Sequence, residues 1–166
     1  MSVSPPPDRA LRAVVGFGAN LGDRLRTMRA ALRALADVTR VVATSRVYAT
    51  APVGPPQPDY LNAAALVEWR STPVALLDVL LSIEAGLGRV RAERFGPRVI
   101  DLDVLWIDGV AYEDARLTVP HPRLHERAFA VAPLLDVVPD ARDPRTGGAY
   151  VVPAGELRVT GGALSP

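Results

Sequence analysis

Two aspartates separated by one residue, Asp101 and Asp103, stand in the run Arg91-Ala-Glu-Arg-Phe-Gly-Pro-Arg98-Val-Ile-Asp101-Leu-Asp103-Val-Leu-Trp-Ile107. Its second half is β-branched and apolar and reads as a strand. Side chains alternate along a strand, so the spacing predicts Ile100, Leu102, Val104 and Trp106 on a core face. Both carboxylates then share the other face, ~6.6 Å apart. Two like charges at that separation repel unless a cation sits between or beside them. The pair suits Mg²⁺, a hard ion that prefers carboxylate oxygens and keeps water or substrate phosphate in its other positions. Arg91, Arg94 and Arg98 precede the strand, and guanidinium forks are well shaped to grip phosphate oxygens. Gly96-Pro97 pins the turn between them. A solvated edge strand in an arginine-rich chain carries the same residue types, so the neighbouring segments must decide.

Those segments add anion-binding and ring-binding groups. Downstream, Arg116-Leu-Thr-Val-Pro120-His121-Pro122-Arg123-Leu-His125-Glu126-Arg127-Ala-Phe129 contains both histidines of the chain. The prolines hold His121 in extended backbone and delay any helix until Arg123. His121 and Arg127 are expected to contact phosphate, helped by the free amides of a helix beginning there. His125 reads as a surface or capping residue. Upstream, Thr50-Ala-Pro52-Val53-Gly54-Pro-Pro-Gln-Pro58-Asp-Tyr60-Leu-Asn62 is a loop stiffened by four prolines. Tyr60 offers a flat ring and Asn62 a donor and an acceptor, which a planar heterocycle with amide-like edges requires. Equally, Tyr60 could anchor the loop and Asn62 could cap a strand.

The elements that must position these groups follow from periodicity. Leu11 to Phe17 is a strand ending in the turn residues Gly16-Phe-Gly18-Ala-Asn20-Leu-Gly22-Asp23. Asp23 then caps a helix whose buried stripe is Leu25, Met28, Leu32 and Leu35. Those glycines lack the lysine and hydroxyl of a phosphate loop and read as a strand-to-helix turn. Val38 to Ala49 is read as one strand and Leu61 to Trp69 as the next. Ser71-Thr72-Pro73 starts a second helix with Leu76, Leu77, Leu80, Ile83 and Leu87 inward and Gly88 as its C-cap. Glu84 falls near its end, where solvation is the simplest role. The aspartate strand closes in Asp108-Gly109, a hairpin signal, and Tyr150 to Val152 reads as a short strand. Strand, helix, strand, strand, helix, strand is the βαββαβ order of a ferredoxin-like α+β fold.

The whole chain sets bounds. Its 166 residues, 49% of them hydrophobic, fit one domain with a substantial core. A formal net charge of +1 argues against a general nucleic-acid or membrane binder. Cysteine is absent, which excludes thiolate chemistry and disulfides. Without a signal-like segment or a long apolar run, the expectation is a cytoplasmic protein. The domain is expected over residues 11–158, with the Pro-rich 1–10 and the Gly-rich 159–166 as disordered tails.

Taken together, Arg89-Val-Arg91, Phe95-Gly-Pro-Arg98, Asp101-Leu-Asp103, Pro58-Asp-Tyr-Leu-Asn62 and Leu117-Thr-Val-Pro-His121 resemble the 6-hydroxymethyl-7,8-dihydropterin pyrophosphokinases from about Val14 to Asp140. The resemblance implies transfer of pyrophosphate from ATP to the pterin's hydroxymethyl group, releasing AMP, in folate synthesis. It also implies a three-layer sandwich once C-terminal elements are added, and a monomer that binds neither nucleic acid nor membrane. By the same resemblance Asp101 and Asp103 hold two Mg²⁺ ions, with Arg89 and Arg98 catalytic beside them. Glu84, Arg91, Arg98, Val104, Arg116, Thr118, His121 and Arg127 surround ATP. Thr50, Val53, Tyr60, Asn62 and Phe129 surround the pterin. Phe95 stands where the family pattern has Trp, Ala19 where it has Ser, and the Arg91–Phe95 loop is one residue short. The alternative is a non-catalytic ferredoxin-like module for a small ligand or RNA. The aromatic stacking platform that RNA would need is missing from Leu61–Trp69.

Overall fold

The computed structural model describes residues 9–52, 54–88 and 99–166. Strand β1 (Leu11–Ala19) leads into helix α1 (Arg24–Ala36), and β2 (Arg40–Thr44), β3 (Arg46–Thr50) and β4 (Tyr60–Trp69) follow. Helix α2 (Pro73–Gly86) and strand β5 (Asp101–Ile107) complete the expected order. Beyond it come β6 (Tyr112–Glu113), β7 (Thr118–Val119), a 3₁₀ turn (Leu124–Glu126), α3 (Ala128–Val137) and β8 (Arg158–Ala163). The main sheet runs β5-β1-β4-β3-β8 with β2 also on β4, and each of its pairings is antiparallel. This is the ferredoxin-like α+β arrangement, with β1 and β4 at its centre.

Local sequence accounts for both helix starts. Asp23 accepts from Arg26 N at the head of α1, and Thr72 accepts from Ala75 N with Pro73 in the first turn of α2. Gly88 takes φ 84° just past α2, where a side chain would be strained. The apolar stripes of both helices cover one sheet face in a core that includes Met28, Leu32, Leu35, Leu76 and Leu80. Helix α3 covers the opposite face in a second core with Leu66, Leu105, Trp106, Val131 and Leu134. The result is three layers.

Several expectations are corrected. The run from Val38 to Ala49 is two strands. Ser45 breaks it, donating its N–H to Ala64 O while its hydroxyl accepts from Ala64 N, so β2 and β3 share β4 as partner. Trp106 does not share a face with Val104. The β1–β5 register shifts between Val14 and Val15, where β5 carries an extra residue, and this bulge turns Trp106 into the α3 core. Asp108-Gly109 forms a tight turn, with Val110 N on Ile107 O and φ 67° at Gly109, but the next strand, β6, pairs with β7 and not back on β5, so that turn closes no hairpin. Tyr150 to Val152 is not a strand; the Tyr150 ring fills the second core instead. The closing segment is not a loose tail, because β8 pairs with β3 and Leu164 is buried. The segment 1–8 lies outside the described residues.

Candidate functional site

The site is built on the α3 face of the sheet, at the end where β5 begins. Register places Asp101, Gly18, Asn62 and Tyr48 in one row across β5, β1, β4 and β3, with Asp103 opposite Gly16 in the next. Directly paired residues point to the same face, so the two acids and Asn62 look into the same space. Both aspartates are half-buried, as are Tyr60 and Thr50. Gly18 gives that space its floor. A Cβ on Gly18 would lie 3.5 Å from Asn62 Oδ1, 3.9 Å from Tyr60 Cδ1 and 4.0 Å from Asp101 Cβ. The bare backbone therefore leaves a shallow trough bounded by an acid on one side and by Asn62 and Tyr60 on the other. At Gly16 a Cβ would meet Leu105 Cδ1 at 2.9 Å, so the second glycine makes room for the Leu105 side chain.

The far wall comes from the segment after β7. His121 N donates to Leu105 O at 2.9 Å, which ties this segment to β5. His121 Nδ1 accepts from Arg123 N at 3.2 Å, leaving Nε2 as the nitrogen that carries the proton in the neutral ring. Burial and the adjacent Arg127 push His121 below its ordinary value, against the pull of the Asp101 carboxylate. Arg127 itself is drawn down by burial and by Arg123, while Asp103 and Asp101 oppose the shift. Guanidinium keeps its proton, so a half-buried cation is held in the field of two acids. Arg127 also precedes α3, whose first turn has no side-chain cap, and its guanidinium lies 5.6 Å from the centre of the Phe129 ring. An anion placed here would meet the neutral Nε2–H, the guanidinium and the helix terminus together.

The Tyr60 wall is clamped more firmly than its prolines alone would achieve. Asn20 is 1% exposed and donates to Gln57 Oε1 at 2.7 Å and to Pro58 O at 3.2 Å. Arg24 donates to Asp59 O at 2.8 Å. Asn62 Nδ2 donates to Thr50 Oγ1 at 3.0 Å, fixing which edge of the amide faces the trough. Sequence reasoning passed over Asn20, Gln57, Gly16 and Gly18 as turn and loop punctuation. The available signal was two glycines at i and i+2 inside an apolar strand, which marks a close approach to the backbone.

The expected nucleoside residues do not all join this group. Glu84 is not a solvated helix residue: it is 2% exposed, and its Oε2 accepts from Leu102 N at 2.8 Å. Its carboxylate thus serves the outer edge of β5. The Val104 side chain is buried in the first core, so only its backbone, two residues along that edge from Leu102, can meet a ligand. Arg116 reaches back to Asp78 of α2, and Thr118 lies on β7. Val53, Arg89, Arg91 and Arg98 lie outside the described residues.

Paired acids, a half-buried cation and a polar-edged trough suit the handling of a phosphate-bearing molecule, which places the chain among ferredoxin-like α+β phosphotransferases. The profile of the 7,8-dihydro-6-hydroxymethylpterin-pyrophosphokinase (HPPK) family matches residues 14–139. The chain belongs to that family. It is 48% identical over 132 residues to the 2-amino-4-hydroxy-6-hydroxymethyldihydropteridine pyrophosphokinase of Methylorubrum extorquens, covering 78% of this chain and 84% of the relative. The Synechocystis protein of the same name is 42% identical over 153 residues, covering 90% and 78%. Among solved structures, the Plasmodium falciparum HPPK-DHPS with pteroate superposes with a TM-score of 0.71 at 12% identity. That match covers 86% of this chain and 43% of the other, and it speaks for the fold.

Proposed function

We propose that this chain transfers pyrophosphate from ATP to the hydroxymethyl group of 6-hydroxymethyl-7,8-dihydropterin, releasing AMP, as a step in folate synthesis. The observation that carries this reading is the row Asp101–Gly18–Asn62, which sets a carboxylate and an amide at opposite sides of one bare trough. Asn62, oriented by Thr50, reads the polar edge of the pterin, and Tyr60 and Phe129 stack on its two faces. Arg127 and the Nε2–H of His121 steady the triphosphate, while Val104, Arg116 and Thr118 flank the nucleoside and Glu84 holds the strand edge there. The pterin contact of the backbone near Thr50 and Val53 and the phosphate contacts of Arg89, Arg91 and Arg98 are assigned by likeness to the family motif.

The donor set fits Mg²⁺ as a co-substrate ion. Among the described residues no group of three or more His, Asp or Glu side chains gathers into a cage. Two carboxylates with remaining positions for water and phosphate match how Mg²⁺ is usually held. When bound, two such ions at Asp101 and Asp103 neutralise the charge of the ATP phosphates. The chain's own part is alignment. The hydroxymethyl oxygen is held in line with the β-phosphorus, its new bond forms as the bond to the α,β-bridging oxygen breaks, AMP departs, and the hydroxyl proton is lost to water or to the departing phosphate. This chemistry needs no nucleophilic side chain. A cytoplasmic, monomeric enzyme is part of the same reading. A binding module without catalysis would leave the pairing of acids with Arg127 and His121 unused.

Incubation with ATP, Mg²⁺ and the hydroxymethyl dihydropterin should yield AMP in step with pterin consumed, followed by nucleotide chromatography. Formation of ADP would refute pyrophosphoryl transfer. Asp101→Ala and Asp103→Ala should each lower kcat by a factor of about 10³ or more while the far-ultraviolet dichroism stays unchanged. Near-normal turnover in either variant would remove the metal role.

A further inference from the structure

Strand β8 lies outside residues 14–139, the part of the chain that the family profile matches. Its place in the sheet is nonetheless specific. Leu164 is 2% exposed in the first core, Leu164 N donates to Ser45 O at 2.8 Å, and Thr160 Oγ1 donates to Val47 O at 3.2 Å. Register sets Arg158 opposite Ala49, one residue before β3 gives way to the Pro-rich loop. From there Arg158 donates to Asp59 Oδ2 at 3.3 Å. Asp59 immediately precedes Tyr60, and its carbonyl is already taken by Arg24 of α1. The carbonyl and the carboxylate of the residue that delivers Tyr60 are therefore held by two arginines, one from α1 and one from β8.

We propose that β8 braces the Pro-rich loop, with Arg158 as a positioning residue that sets Tyr60 against the pterin through Asp59. This rests on the pterin reading of the Tyr60 trough given above. The loop's ends, Thr50 and Tyr60, are paired on neighbouring strands, and Asn20 and Arg24 hold its base from the β1–α1 side; the Arg158 contact adds a hold on the Asp59 side chain from β8. The contact is exposed, with side-chain accessibilities of 72% for Arg158 and 45% for Asp59, so its effect is bounded.

Steady-state kinetics on the 166-residue chain test the brace. Arg158→Ala should raise KM for the pterin by about three- to five-fold, the ceiling for an exposed ion pair, with kcat and the KM for ATP unchanged. Arg158→Lys should recover most of the loss. Asp59→Asn should match Arg158→Ala, and the double variant should be no worse than either single one. Arg145→Ala, which breaks only the surface contact to Asp143, serves as the control with unchanged constants. An unchanged pterin KM, additive single effects or parallel rises in both KM values would overturn the proposal. If the unaltered chain released no AMP, the functional reading would fall instead. The brace would then be judged by protease cleavage before Asp59, where faster cutting in Arg158→Ala supports it and equal cutting overturns it.

Discussion

Gly18 shows how one residue can define a ligand space by what it lacks. A methyl group there meets its neighbours at ordinary contact distances of 3.5–4.0 Å, whereas a longer side chain must project into the trough. Gly18→Ala should therefore fold normally with modest loss of activity. Gly18→Leu should keep the fold and lose pterin binding by about two orders of magnitude, read by equilibrium dialysis, since an apolar group then occupies the site of the ring. His121 makes a second point at this scale. Its proton affinity is lowered chiefly by burial and next by Arg127. The unfolded chain takes up the proton more readily, so His121 costs the fold nothing above about pH 6.5 and progressively more as the pH falls below it. In the Mg²⁺-free protein, the nuclear magnetic resonance titration of His121 should have its midpoint below 6.5. Adding ATP should shift that midpoint upward, because a phosphate against Nε2 favours the imidazolium. A midpoint that ignores ATP would remove His121 from the phosphate site.

At the scale of elements, α3 matters most because it closes the second face and delivers Arg127 and Phe129. Its other end is tied to β3 by Asp136, which accepts from Arg46 Nε at 3.1 Å, Arg46 NH2 at 3.0 Å and the Tyr48 hydroxyl at 2.8 Å. Burial alone would push Asp136 up, but the Arg46 fork and the Tyr48 hydroxyl outweigh it and hold the carboxyl below its ordinary value. A depressed carboxylate contributes stability that is present above the unfolded value, near 3.9, and is lost as the pH falls through the folded one. Thermal melts should thus show wild type losing its advantage over Asp136→Asn below about pH 4. A constant difference across that window would mean that the tie does not depend on charge. Helix α3 was only partly legible. A helix was expected to begin in the segment of Arg123 to Arg127, but a short apolar segment does not declare its period, and α3 carries Pro133 inside it.

For the whole molecule, the two cores share a single sheet, so neither face can unpack without exposing the other. Trp69 lies in the first core and Trp106 in the second. Variants that each retain one tryptophan, with Phe at the other position, should unfold in urea at the same midpoint by fluorescence and by circular dichroism, as one cooperative unit. Midpoints separated beyond experimental error would show that the α3 layer melts independently. Among the described residues, no helix is long and apolar enough to cross a membrane.

Periodicity and capping chemistry act over a few residues, and that is why the βαββαβ order, both helix starts and the acid pair on one face of β5 could be read directly from the chain. Asp101 and Asp103 announced themselves because alternation in a strand is a local rule. What tertiary contact decided is equally physical. The bulge that turns Trp106 onto α3 depends on β1, and the break at Ser45 depends on Ala64 across the sheet. The docking of β8, which local composition marks as a tail, depends on an open edge of β3 and a gap that Leu164 fills. Pairing partners lie tens of residues away, so only the folded sheet could turn Gly18 into a floor and an unremarkable Asn20 into the clamp of a loop.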